Sequence, residues 1–220
     1  MHDHQQVGSA VVIAAKQFNP SVLGELWLFE NEILTSDELK GASVKVFMDG
    51  IAQVDVADFA LTIIGPQLQF VVKDPHNDSV LTRLNKLVTL IPHTPFTAIG
   101  INHTWRIVPV GIGVHSFSRK LFVSDNSPFA DLFAEPDSLF GGYFSKDVLN
   151  CRLKVDAQPT AMAESGETSK IFLTMNFNFH LDLSGSGHEK SKAISGHLSN
   201  WENARALAQS ITEKIAKCET

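Results

Sequence analysis

At 220 residues the chain is long enough to bury a large core, as one domain or as two small ones. Hydrophobic residues make up 44% and charged residues 19%, an ordinary globular balance that excludes global disorder. A formal net charge of −6, with no run of Lys and Arg, repels a phosphate backbone and argues against nucleic acid as a partner.

The aromatic set is 15 Phe, 3 Trp and 1 Tyr, which favours core filling over polar-tipped contacts. Cys151 and Cys218 are too few for a disulfide framework or a zinc knuckle and read as free thiols. No stretch approaches the ~20 apolar residues that span a bilayer, and the N-terminus lacks the basic start of a secretory signal. The expected setting is therefore the cytoplasm, without membrane association.

Residues 1–7 are polar and read as a frayed end. Val11–Phe18 predicts a buried strand closed by Asn19-Pro20. Val22, Leu23, Leu26, Trp27, Ile33 and Leu34 recur at helical spacing, with Ser21 as N-cap and a polar turn after them. Val44–Met48 predicts a short strand before the Asp49-Gly50 turn. Phe59–Ile64 and Leu68–Lys73 flank Gly65-Pro66-Gln67 as a hairpin. Asp78 is placed to cap a helix whose stripe is Val80, Leu81, Leu84, Leu87, Val88 and Ile91, stopped by Pro92. Phe96–Val108 predicts an extended segment, continued by a further strand over Val110–Phe117.

Ser127-Pro128 predicts a short helix through Phe129, Leu132 and Phe133. Leu149–Val155 and Ile171–Leu181 alternate strictly between apolar and polar residues, as two half-buried strands of a hairpin joined by a loop over Gln158–Ser169. The Gly/Ser-rich stretch Ser184–His197 reads as mobile. Ser199 and Glu202 form a capping-box pattern before a last helix with Trp201, Ala204, Leu207, Ala208, Ile211 and Ile215 on one face.

Both halves run strand, helix, strand hairpin, helix. The expected fold is α+β, with a largely antiparallel sheet or sheets and helices packed on one face. The repeated order implies a two-fold duplication into lobes 1–110 and 111–220, with one continuous domain as the alternative.

Leu81–Ile91 followed by Thr94-Pro95-Phe96-Thr97-Ala98-Ile99-Gly100-Ile101-Asn102 resembles a helix-then-strand block of a sporadically distributed family of uncharacterised prokaryotic proteins. Leu173–Asp182 and Trp201–Ile215 fit the late strand and C-terminal helix of that family. The chain departs from the pattern at Ile101, where an aromatic residue is the norm. The resemblance implies a two-lobed α+β architecture and carries over no site.

The densest polar pattern is the late strand, where Thr174, Asn176, Asn178, His180 and Asp182 share one face at about 6.8 Å per step. Arg152 and Lys154 are expected on the same face of the partner strand. The candidate ligand-binding set is thus Arg152, Lys154, Asn176, Asn178, His180 and Asp182. A His180–Asp182 pair suits acid–base work, while a solvated sheet face is the competing reading.

His103, between Ile101 and Trp105, reads as a hydrogen-bonded core histidine. The remaining histidines lack the spacing of a metal site, and no metal or cofactor is expected. Ser184–Lys192 lacks the spacing of a phosphate-cradling loop, and Gly-x-Ser-x-Gly and Gly-x-Gly-x-x-Gly are absent. Without a catalytic signature, the expected function is a non-catalytic protein-interaction or assembly module. It would engage a protein partner or a second copy through Phe129–Phe133 and Leu139–Phe144. The alternative is a small-ligand binder or enzyme on the polar sheet face.

Overall fold

In the computed structural model, which describes residues 1–20, 22–162 and 170–218, the chain opens with a long strand, β1 (Asp3–Ala15). Two short helices follow, α1 (Glu25–Glu30) and α2 (Ser36–Gly41). A four-strand meander comes next: β2 (Val44–Met48), β3 (Ile51–Asp55), β4 (Phe59–Ile64) and β5 (Gln67–Val72). A single 3₁₀ turn, Asp78–Val80, leads into α3 (Leu81–Leu90). The chain continues with β6 (Phe96–Val108), α4 (Val114–Phe122) and α5 (Pro128–Leu132). Then come β7 (Gly142–Val148), β8 (Cys151–Met162), β9 (Lys170–Asp182), α6 (Gly187–Leu198) and α7 (Trp201–Ala216). No helix of the described residues is long and apolar enough to cross a membrane.

The nine strands form one antiparallel sheet in the order β2-β3-β4-β5-β1-β6-β9-β8-β7. The two long strands β1 and β6 pair at its centre. On one side β1 pairs with β5, the last strand of its meander; on the other, β6 pairs with β9, the last of its own. The first run reads strand, two helices, four-strand meander and one α-helix, the second strand, two helices, three-strand meander and two helices, with mirrored strand order about the β1–β6 pair.

Register aligns the apolar residues. Phe70, Val11, Ile101, Phe179 and Leu153 sit side by side across five strands, and each is buried. The helices cover this face: Leu84, Leu87 and Val88 of α3, Ile194 of α6 and Ala204 and Ala208 of α7 join the same core cluster. Each fully buried Leu, Ile or Phe contributes roughly 1.5–3 kcal/mol of transfer free energy.

Several elements depart from expectation. Residues 3–7 belong to β1, because the helix face extends to the start of the chain. Val7 is an extra residue between the pairs Gln6–Trp105 and Gly8–Thr104, so His4 and Gln6 share a face with Ser9 and Val11. His2 is buried, its backbone N–H donating to the Ala216 carbonyl at 2.9 Å and its Nδ1 accepting from Val110 N–H at 2.9 Å.

The helix expected over 22–34 is only the six residues of α1, and its Ser21 cap lies outside the described residues. The supposed polar turn after it is α2, nucleated by a capping box between Thr35 and Glu38. Asp78 makes no capping hydrogen bond; it is the first residue of the 3₁₀ turn. Val110–Phe117 is not a strand: Gly111 takes φ +82° and α4 starts at Val114, burying Val114, Phe117 and Ser118.

β7 was not anticipated. It meets β8 through a two-residue turn at Leu149-Asn150, both with positive φ, as this hairpin geometry requires. Of the loop expected over Gln158–Ser169, residues 158–162 belong to β8, paired with β9 out to Met162–Lys170, and residues 163–169 lie outside the described residues. The stretch expected to be mobile is α6, capped by a box between Ser186 and Glu189 and held by buried Ile194 and Leu198. Ser199 ends α6 and caps nothing; α7 starts after Asn200 with no side-chain cap.

Candidate functional site

Strand alternation puts the other set of side chains on the opposite, helix-free face of the sheet. Arg152 stands opposite His180, Lys154 opposite Asn178 and Asp156 opposite Asn176. On the other flank of β9, Gly100 faces His180, Asn102 faces Asn178 and Thr104 faces Asn176. All six expected residues, Arg152, Lys154, Asn176, Asn178, His180 and Asp182, therefore lie on one face. Asn102 and Thr104 complete the stripe; they join it only through the β6–β9 register, which no local pattern encodes.

Hydrogen bonds within the stripe run mostly between strands. Asn178 Nδ2 donates to Asn102 Oδ1 at 2.6 Å, and Asn102 Nδ2 donates to the Gly100 carbonyl at 3.2 Å. Thr104 Oγ1 donates to Asn176 Oδ1 at 3.0 Å. Gly100 makes room for this pair: a Cβ there would sit 2.6 Å from Asn178 Nδ2 and push the amide aside. Beside the stripe β1 contributes Gly8, Ala10, Val12 and Ala14 opposite Thr104, Asn102, Gly100 and Ala98.

At one end, His180 Nε2 lies 3.2 Å from Asp182 Oδ1, with side-chain exposures of 26% and 90%. So exposed a carboxylate orients the ring while remaining in water. Arg152 turns away from the stripe. Its Nη1 meets Asp147 at 3.0 Å and its Nη2 donates to Ser145 Oγ at 2.7 Å, both on β7. The face thus presents amide, hydroxyl and imidazole groups, many already satisfied by one another, together with Lys154 and the Asp156 and Asp182 carboxylates. His180→Ala is expected to shift the melting temperature by no more than about 2 °C, because it removes only a peripheral contact. A larger drop in thermal unfolding would make His180 a structural residue.

The buried histidines lie on the helix face. His103 is fully buried, with Nδ1 3.0 Å from Ser9 Oγ and 3.2 Å from Gln6 Nε2, and its ring centroid 4.6 Å from that of Trp201. Burial drives its pKa down to about 4. His197 is also buried, with Nε2 2.9 Å from the Phe179 carbonyl, and burial lowers its pKa as well. The Cys151 thiol is buried on this face too and donates to the Val148 carbonyl. Burial pushes its pKa up, which suits an inert thiol. Among the described residues no three His, Cys, Asp or Glu side chains converge as a metal site would require.

Comparison with protein-family models, with curated proteins and with solved structures finds no match to this chain.

Proposed function

We propose that the chain is a non-catalytic protein-interaction or assembly module whose contact surface is formed by α5 and the approach to edge strand β7. The observation that carries this reading is the clustering of exposed large apolar side chains within Phe129–Phe144. Leu132 is 70% and Phe129 59% exposed, and Phe133, Leu139, Tyr143 and Phe144 are also exposed. Single exposed apolar residues are normal on a folded surface, but a contiguous group is characteristic of an interface.

The α5 part of the group is continuous in space. The Phe129 and Phe133 rings lie 6.3 Å apart, and Phe133 lies 6.3 Å from the buried Phe140 ring. Arg119 of α4 fixes the short helix by donating to the carbonyls of Ala130 and Phe133 at 2.9 and 3.0 Å. Held in place through its backbone, the short helix leaves Phe129 and Leu132 largely exposed. β7 adds an unpaired strand edge at the end of the sheet.

The basic residues support the same reading against nucleic acid. Arg152 and Lys154 belong to the open sheet face, whereas Lys190 and Lys192 belong to α6 in the helical layer. The mirrored strand order supports a duplicated unit as the origin of the fold.

Leu132→Glu tests the contact surface. The side chain is exposed, so folding should be unchanged, and association detected by light scattering should fall by roughly tenfold or more, as for loss of a central apolar contact. Unchanged association in this variant would remove α5 from the interface.

A further inference from the structure

Next to that surface, but inside the helical layer, lies a second feature. A cleft of about 420 Å³ opens between α4, α7 and the β7–β9 end of the sheet. Its volume falls within the range of roughly 300–1,000 Å³ typical of small-molecule sites. The walls are Phe122 of α4 and Ile211 and Ile215 of α7, and the floor includes Leu153 and Met175. Both floor residues are only 1% exposed, so the base of the cleft is closed to bulk water. An α-helix is about 10 Å across, and two turns of one would fill more than this volume. The slot therefore suits a slim aliphatic chain.

One cation stands in the lining. Lys146 is opposite Leu153 in the β7–β8 register, which directs its side chain to the slot's side of the sheet, beside Phe144 at the lip. Among the described residues no carboxylate pairs with it; the neighbouring Asp147 is taken by Arg152. An apolar slot with a single unpaired cation at its mouth is complementary to a molecule with an unbranched apolar tail and an anionic head.

We propose that this slot binds such an anionic amphiphile, a medium-chain carboxylate in its simplest form, with the tail between α4 and α7 and the head at Lys146. The slot shares Phe144 with the proposed contact surface but not Leu132, so Leu132→Glu should leave it intact. The test is calorimetric titration of the purified chain with dodecanoate and with dodecanol, both below their aggregation limits. Dodecanoate should bind saturably, one molecule per chain. Lys146→Glu, a change at an exposed position, should weaken dodecanoate by roughly tenfold or more and dodecanol by less than about twofold. Ile211→Trp should block both by filling the slot. Failure of the wild-type chain to bind dodecanoate saturably would overturn the proposal. So would unchanged dodecanoate affinity in Lys146→Glu, which would show that no anionic head is read.

Discussion

Trp201→Ala is expected to cost about 3–5 kcal/mol, the scale of truncating a fully buried aromatic side chain. Trp201 is 2% exposed and begins α7. Its ring packs on His103 at the centre of the sheet, and its Nε1–H donates to the Pro75 carbonyl at 3.2 Å. The side chain thus joins three parts of the fold: the last helix, the central strand β6 and the segment before α3. Truncation leaves a cavity over His103, an unpaired Pro75 carbonyl and a weaker hold on α7. For a chain of this length the melting temperature should fall by roughly 6–20 °C. Chemical denaturation of the variant checks the value. A loss under 1 kcal/mol would show that the first turn of α7 is not part of the cooperative core.

The second large effect is acid sensitivity centred on His103. In the unfolded chain the ring takes up a proton near pH 6.5, whereas in the fold burial keeps it neutral down to about pH 4. Between these values the unfolded chain carries the additional proton. Stability from this group is complete above about pH 6.5 and declines by up to about 3 kcal/mol as pH falls to 4. Burial also lowers the pKa of His2 and His197, which adds to the loss with the same sign. Asp55, held low by its hydrogen bond from Lys73, acts in a different window. Its contribution is lost only as pH falls below its ordinary value near 3.8. Denaturation at a series of pH values should therefore show stability falling well before the carboxylates titrate. Nitrogen-15 spectra of the imidazoles should show His103 still neutral at pH 5. A His103 that protonates near pH 6.5 in the folded chain would contradict the account.

Much of the sheet was legible in the sequence because its longest strands alternate strictly. Phe96–Val108 coincides with β6, and the apolar set Leu173, Met175, Phe177 and Phe179 lies on the helix face as its period demands. Elements whose local composition opposed their role were not. The Ser and Gly content around α6 suggests a linker, yet Ser186 and Glu189 form a capping box of the same pattern that Ser199 and Glu202 offer thirteen residues later. Propensity yielded there to the cap and to the burial of Ile194 and Leu198. Leading into α4, Val110, Ile112 and Val114 mimic a strand, while the helix is set by Phe117 and Ser118 packing inward. β7 carries adjacent Tyr143 and Phe144, so no alternation marks it, and as an edge strand it buries little.

The polar face divides in the same way. Asn176, Asn178, His180 and Asp182 follow from the period of one strand. Their bonding to Asn102 and Thr104 depends on pairing over 72 or more residues of separation, as for Thr104 with Asn176. The slot between α4 and α7 was not legible at all. It depends on where two helices, one of them misread as a strand, land on the sheet.

The central claim, that the α5–β7 surface exists to meet a protein, is tested most directly by a light-scattering mass. The wild-type chain and Leu132→Glu are measured alone and after affinity capture from the native lysate. The account predicts a wild-type mass above the 24.1 kDa of one chain, as an oligomer or a stoichiometric complex, and 24.1 kDa for the variant. A wild-type mass of one chain under both conditions, or an assembly that Leu132→Glu leaves unchanged, would contradict it.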